Sequence, residues 1–161
     1  EVIIFAKENN IKLNIELKPT GREENFEETV IDLINKYNFK NDCVITSQIY
    51  EVLEKVKKYD KTIETVYVMS LAYGNIISLT AADHFSVEAT SATSSLVSAV
   101  HKEGKKLLVW TINSEENILK MIDLKVDNII TDNITLAKDV VYSSKTSDVI
   151  VEFVKLIEDI F

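Results

Sequence analysis

Glycine and proline are scarce, with three Gly and one Pro in 161 residues. Such a chain has no flexible linker to divide it. At 46% hydrophobic and 27% charged residues, it has the composition of one globular core. A single cysteine, Cys43, excludes an internal disulfide. Its place in the apolar run Cys43-Val44-Ile45 reads as a small buried hydrophobe and not as a nucleophile. Positive charge is in deficit as well, since 18 Lys and Arg face 26 Asp and Glu for a formal charge of −8. No Lys and Arg run interleaved with aromatics offsets that sign locally, which excludes nucleic acid as a partner. No stretch approaches the roughly 20 apolar residues that cross a bilayer, and no signal peptide precedes the first helical segment, so a soluble domain is expected. The first residue is Glu1 and not Met, and Glu1 to Lys7 has helical spacing with no start signal, as expected of a piece of something longer.

What the chain does contain is alternation. Short β-branched apolar runs at Ile11 to Leu17, Cys43 to Thr46, Thr65 to Met69, His84 to Ala89, Lys106 to Ile112 and Asn128 to Thr131 read as strands. Between them, apolar residues three and four apart predict helices near Glu24 to Tyr37, Ile49 to Tyr59, Ser94 to Glu103, Ser114 to Leu124 and Ile134 to Tyr142. Ser114 before Glu115-Glu116 is placed as an N-cap, and Gly104 ends a helix where a left-handed residue is wanted. A final amphipathic helix from about Ser147 to Phe161 carries Val149, Ile150, Phe153, Val154, Leu156, Ile157 and Ile160 mostly along one side. Repeated βα units mean a parallel sheet, either open or closed into a barrel. No glycine-rich dinucleotide fingerprint follows any strand, which weakens the open-sheet cofactor reading and leaves the barrel.

In a parallel barrel the chemistry sits at the carboxyl ends of the strands. Asn14, Glu16 and Lys18 stand two apart on the first strand and share one face. A carboxylate beside an ammonium there suits a divalent metal and a phosphoryl oxygen, and equally suits a plain ion pair on a solvated face. Trp110, at the end of the fifth strand, walls a pocket or fills the core, and core filling is the expectation from residues alone. Asp132, at a strand-to-helix junction, is expected as a helix cap. Glu88 to Ser91 and Ser47 are further polar strand ends that could face the mouth. His84 and His101 have no Ser, Cys or carboxylate at catalytic spacing and are expected to be structural.

The order of these motifs is itself informative. Asn14-Ile15-Glu16-Leu17-Lys18 resembles the "N-I-E-I-K" strand of glycerophosphodiester phosphodiesterases. Val109-Trp110-Thr111-Ile112-Asn113 is similar to their "V-W-T-V-N" strand, and Val126 to Asp132 resembles their closing "V-D-G-I-I-T-D". Ile45-Thr46-Ser47 falls at their "Q-S-F" strand end, and Leu96 to Gly104 matches the helix and glycine before the Trp strand. The resemblance covers roughly residues 1 to 142 in family order. Asn128 stands where the family usually has Gly, and Gln48 where it usually has Phe.

The resemblance implies a partial TIM-type (β/α) barrel over 1–142, with about six parallel strands and the first two missing; the segment 143–161, read from its apolar spacing as an amphipathic helix, follows it. It implies hydrolysis of glycerophosphodiesters to sn-glycerol 3-phosphate and an alcohol, with a divalent metal ion (Mg or Ca), Glu16 as a metal ligand, Lys18 on the phosphate and Trp110 bordering the substrate. The family's "H-R-G" strand, its "E-x-D" strand and its second catalytic histidine have no counterpart here, so no catalytic residue carries over and the fragment is expected to be inactive alone. Some members from Gram-positive bacteria carry a membrane region before the barrel, so a bacterial, membrane-attached parent is compatible. Open barrel edges predict a homo-oligomer. The rival reading is a non-catalytic binding or interaction module with a degenerate barrel, and a third is an unrelated barrel with chance motifs.

Overall fold

The computed structural model describes residues 1–72 and 74–145. The expected helix from Ser147 to Phe161, and most of the 143–161 segment, lies outside the described residues. The elements are α1 (Val2–Glu8), β1 (Leu13–Glu16), α2 (Phe26–Lys36), β2 (Cys43–Ser47), α3 (Tyr50–Tyr59), β3 (Thr65–Met69), β4 (His84–Glu88), α4 (Ser94–Lys102), β5 (Leu107–Trp110), α5 (Glu115–Asp123) and β6 (Asn128–Ile129), then α6 at 134–145. The six strands run parallel in the order β1-β2-β3-β4-β5-β6. Each strand's neighbour is the next in sequence, so the sheet winds in one direction and curls into a half-barrel with helices around it. The expected fold class is therefore observed.

Local chemistry sets the element limits. Ile11, expected in the first strand, spends its amide closing α1 on the Ala6 carbonyl at 2.8 Å, so β1 begins two residues later at Leu13. Helix α2 begins after Asn25, whose φ of 51° takes the chain through the left-handed region before Phe26. The hydroxyls of Thr93 and Ser114 accept from the amides of Leu96 and Asn117 and so cap α4 and α5. Gly104, at φ +68°, takes the chain out of α4 in a conformation that a Cβ would strain. The expected cap at Asp132 is corrected: Asn133 Oδ1 accepts from the Leu136 amide at 3.1 Å, while Asp132 binds the Asn113 side chain. Asn133 is one residue nearer the helix, which lets its short side chain reach an otherwise unpaired N–H.

Alternation along the strands divides the molecule into two faces. Outward go Ile15, Ile45, Phe85, Val87, Leu107 and Val109, which meet Ile31 and Ile34 of α2, Leu53 and Val56 of α3, Val97 and Val100 of α4, and Ile118 and Met121 of α5 in one buried cluster. Cys43 belongs to that cluster, and burial, with the charge of Asp42 nearby, pushes its thiol up to about 11. A thiol so protonated is inert, as the sequence suggests. Inward go Asn14, Glu16, Val44, Thr46, Val66, Val68, His84, Ser86, Leu108 and Trp110, lining the concave side of the half-barrel.

Candidate functional site

At the carboxyl end of the concave face lies a cavity of about 320 Å³. Strand β1 and the residues after it supply Asn14, Glu16 and Lys18, and the end of β2 supplies Thr46 and Gln48. Val68, Ser86, Trp110, Thr111 and Ile130 complete the wall from the remaining strands. The period of two therefore does bring Asn14, Glu16 and Lys18 to one cavity, with Trp110 across from them.

The spacing of the two charges is held by the backbone between them. Leu17 donates its amide to the Thr46 carbonyl at 2.8 Å, and its carbonyl accepts from Ser47 Oγ at 2.8 Å. Ser47 also accepts from the Ile49 amide at 3.1 Å. It is fully buried in the wall, which corrects the expectation that it could face the mouth. Glu88 is likewise taken up locally, since its carboxylate accepts from the amide and hydroxyl of Thr90, and those bonds hold its pKa below the usual carboxylate range. Glu16 Oε2 and Lys18 Nζ sit 3.0 Å apart, so the pair that lines the cavity is also an ion pair. At 69% exposure for Lys18 and 35% for Glu16, that pair is screened and contributes little to folding.

Trp110 corrects the core-filling expectation. Strand β5 places Leu107 and Val109 outward in the core and Leu108 and Trp110 inward, and Trp110 is half-buried along the cavity wall. The motif after it closes against the last strand: Asn113 Oδ1 accepts from the Thr131 hydroxyl at 3.0 Å and the Asp132 amide at 2.9 Å, while Asn113 Nδ2 donates to Asp132 at 2.9 Å. The Trp strand and the closing strand are thus clamped together just above the cavity.

Neither histidine reaches this cavity. His101 Nε2 pairs with Asp127 at 2.8 Å, and the same carboxylate oxygen accepts from the Leu107 amide. His84 Nδ1 accepts from the Lys106 amide at 3.2 Å, which places its proton on Nε2, 3.8 Å from Glu64. Burial holds its pKa below the ordinary value, with Glu64 opposing. The structural expectation for both is consistent with this geometry. Among the described residues no group of three or more His, Cys, Asp and Glu is arranged to hold a metal ion. A divalent cation takes about six oxygen ligands or more, and among the described residues Glu16 is the one carboxylate on this cavity, so those residues alone do not fit such an ion.

Sequence reasoning missed Ser86 and Thr46. Ser86 is 1% exposed, lines the cavity, and its Oγ has no hydrogen-bond partner; Trp110 Nε1 is buried and partnerless too. The available signal was a hydroxyl set between Phe85 and Val87 in an otherwise apolar strand.

A family model described as the glycerophosphoryl diester phosphodiesterase family matches residues 1–136. The chain belongs to this family. Bacillus subtilis YhdW, a relative named as a glycerophosphodiester phosphodiesterase, is 21% identical over 138 residues, covering 82% of this family member and 57% of YhdW. An Oleispira antarctica phosphodiesterase, solved in complex with the product sn-glycerol-3-phosphate, superposes with a TM-score of 0.79 at 22% identity over 88% of this chain and 59% of its own. The crystal structure of a Silicibacter pomeroyi glycerophosphoryl diester phosphodiesterase gives 0.79 at 20% identity, over 89% and 55%. At such identities the solved structures establish the fold, and this family member spans a little over half the length of the proteins it matches. Among the described residues no helix is long and apolar enough to cross a membrane.

Proposed function

We propose that this chain is the larger part of a metal-dependent glycerophosphodiester phosphodiesterase barrel, which hydrolyses its substrate to sn-glycerol 3-phosphate and an alcohol. The observation that carries the reading is the convergence of Glu16, Lys18 and Trp110 on one cavity, since these are the positions at which the family motifs fall. In hydrolysis a water oxygen bonds to phosphorus, the bond to the departing alcohol breaks, and that alcohol takes up a proton. The Lys18 ammonium supplies positive charge where the phosphoryl oxygens gather negative charge. Glu16 would serve as a ligand to a divalent cation, whose other ligands would have to come from outside the described lining of this cavity. Trp110 gives an apolar wall for the carbon skeleton.

No histidine lines the cavity among the described residues, so this part of the barrel supplies no imidazole as general acid or base. Residues 1–161 are therefore expected to hydrolyse glycerophosphocholine no faster than background, because loss of a general base costs orders of magnitude in rate. The chain joined to preceding His-Arg-Gly and Glu-x-Asp strands is expected to turn the substrate over with added metal, and Glu16→Ala in that longer chain to abolish turnover. Metal-dependent hydrolysis by residues 1–161 alone would overturn this assignment of roles. Inactivity of the longer chain with its metal would favour a non-catalytic binding module. The strands β1 and β6 end the sheet, so self-association through those edges is part of the same reading, and light scattering at micromolar concentration tests it against the 18.3 kDa of one chain.

A further inference from the structure

Ser86 occupies a position that packing alone would fill differently. Across the sheet its partners in register are Val68 on β3 and Leu108 on β5, both apolar and both turned to the same concave face. The residue is 1% exposed and its Oγ has no hydrogen-bond partner. A hydroxyl buried this way costs free energy that alanine would not, so its presence asks for an occupant that satisfies it. Most of the same cavity's wall is polar, with Glu16, Lys18, Gln48, Thr46 and Trp110 among its residues, and the indole Nε1 of Trp110 is likewise buried without a partner. Two unsatisfied groups on neighbouring strands β4 and β5, one able to donate or accept and one able only to donate, complement an alcohol oxygen, which both donates and accepts. The charged pair lies on β1 and just beyond it, at the other side of the cavity.

From this geometry we infer that Ser86 is a specificity-determining residue whose hydroxyl hydrogen-bonds an alcohol group on the polyol portion of a bound phosphate ester, while Lys18 faces the phosphate. The inference rests on the phosphodiesterase reading above and adds to it a residue that reads the carbon skeleton. Polar groups left unpaired by a deoxy analogue are what give such a site its discrimination.

The test uses residues 1–161 and two probes of the same charge and length, sn-glycerol 3-phosphate and n-propyl phosphate, which lacks both hydroxyls. Affinities are read by NMR titration for the wild type and for Ser86→Ala. The wild type is expected to prefer sn-glycerol 3-phosphate, and Ser86→Ala to weaken that ligand roughly three- to tenfold while leaving n-propyl phosphate unchanged, as loss of one hydrogen bond predicts. The melting temperature of the unliganded variant is expected to hold or rise, whereas a purely structural hydroxyl would lower it. Equal weakening of both probes, or none, overturns the role of Ser86 and leaves the phosphate site standing. Binding of neither probe by the wild type overturns the phosphate-site reading, and this inference with it.

Discussion

The two faces of the sheet are built to different rules. The convex face packs aliphatic and aromatic side chains against the surrounding helices, α2 to α5 above all, in one cluster. The concave face carries Asn14, Glu16, Lys18, Thr46, His84, Ser86 and Trp110, and among the described residues all three buried side-chain polar atoms without a partner, His84 Nε2, Ser86 Oγ and Trp110 Nε1, belong to it. Stability resides in the outer layer, and the inner layer keeps polar groups that folding does not reward. This is the division expected where one side of a strand serves the fold and the other serves a ligand.

The largest expected effect lies on the convex side. Phe85→Ala removes a fully buried ring and is expected to lower unfolding free energy by about 3–5 kcal/mol in a denaturant titration. A loss as small as that of an inner-face substitution would break the comparison.

Next comes the clamp joining α3 to the β3–β4 connection. Asp83 accepts from Lys57 Nζ, from the Thr65 amide at 2.8 Å and from the Thr65 hydroxyl at 3.1 Å. Burial pushes its pKa up, yet those bonds outweigh burial and leave it below the ordinary 3.8. Asp83→Ala is expected to cost about 1–3 kcal/mol at neutral pH. The contribution is full above the unfolded value of 3.8 and lost as pH falls through the lower folded value, so the variant and the wild type converge in strong acid.

A smaller effect separates the two ends of the concave face. Folded His84 holds its proton less tightly than the unfolded chain, whose histidine titrates near 6.5. Its contribution to stability is complete above that pH and declines as pH falls below it, by less than about 1.4 kcal/mol per pH unit for a single proton. His84→Asn keeps an acceptor for the Lys106 amide and is expected to flatten this part of the pH–stability curve. An unchanged slope between pH 6.5 and 5 would assign the acid sensitivity to other groups.

The smallest effect is at the cavity itself. Glu16→Gln and Lys18→Met are each expected to change stability by less than about 0.5 kcal/mol, since the pair is largely exposed. A loss above about 1 kcal/mol would make the ion pair structural and weaken the case that it is kept for a ligand.

Much of this was legible in the sequence, because alternation and turn chemistry are local. Strand β3 falls on Thr65–Met69 as read, and the caps at Ser114 and Gly104 are where the pattern puts them. The joint facing of Glu16 and Lys18 followed from a period of two. What was illegible depends on which way the sheet curls. Trp110 and Ser86 lie in runs apolar on both sides, Val109-Trp110 and Phe85-Ser86-Val87, and in a strand covered on both faces hydrophobicity does not tell inward from outward. The exchange of Asp132 for Asn133 as the cap has a similar origin, since adjacent residues of equal capping propensity are separated only by where the chain turns.

The double tether on Leu17 sets how the site moves. An edge strand opens from its free side, yet Leu17 is bonded through both its amide and its carbonyl to the end of β2. Local unfolding of β1 therefore has to begin at Leu13 and spread toward the cavity. In hydrogen exchange the Leu17 amide is expected to outlast the β1 amides before it. The backbone at Glu16 and Lys18, on either side of it, is then the last of this segment to open, so the start of the strand frays while the cavity end keeps its place.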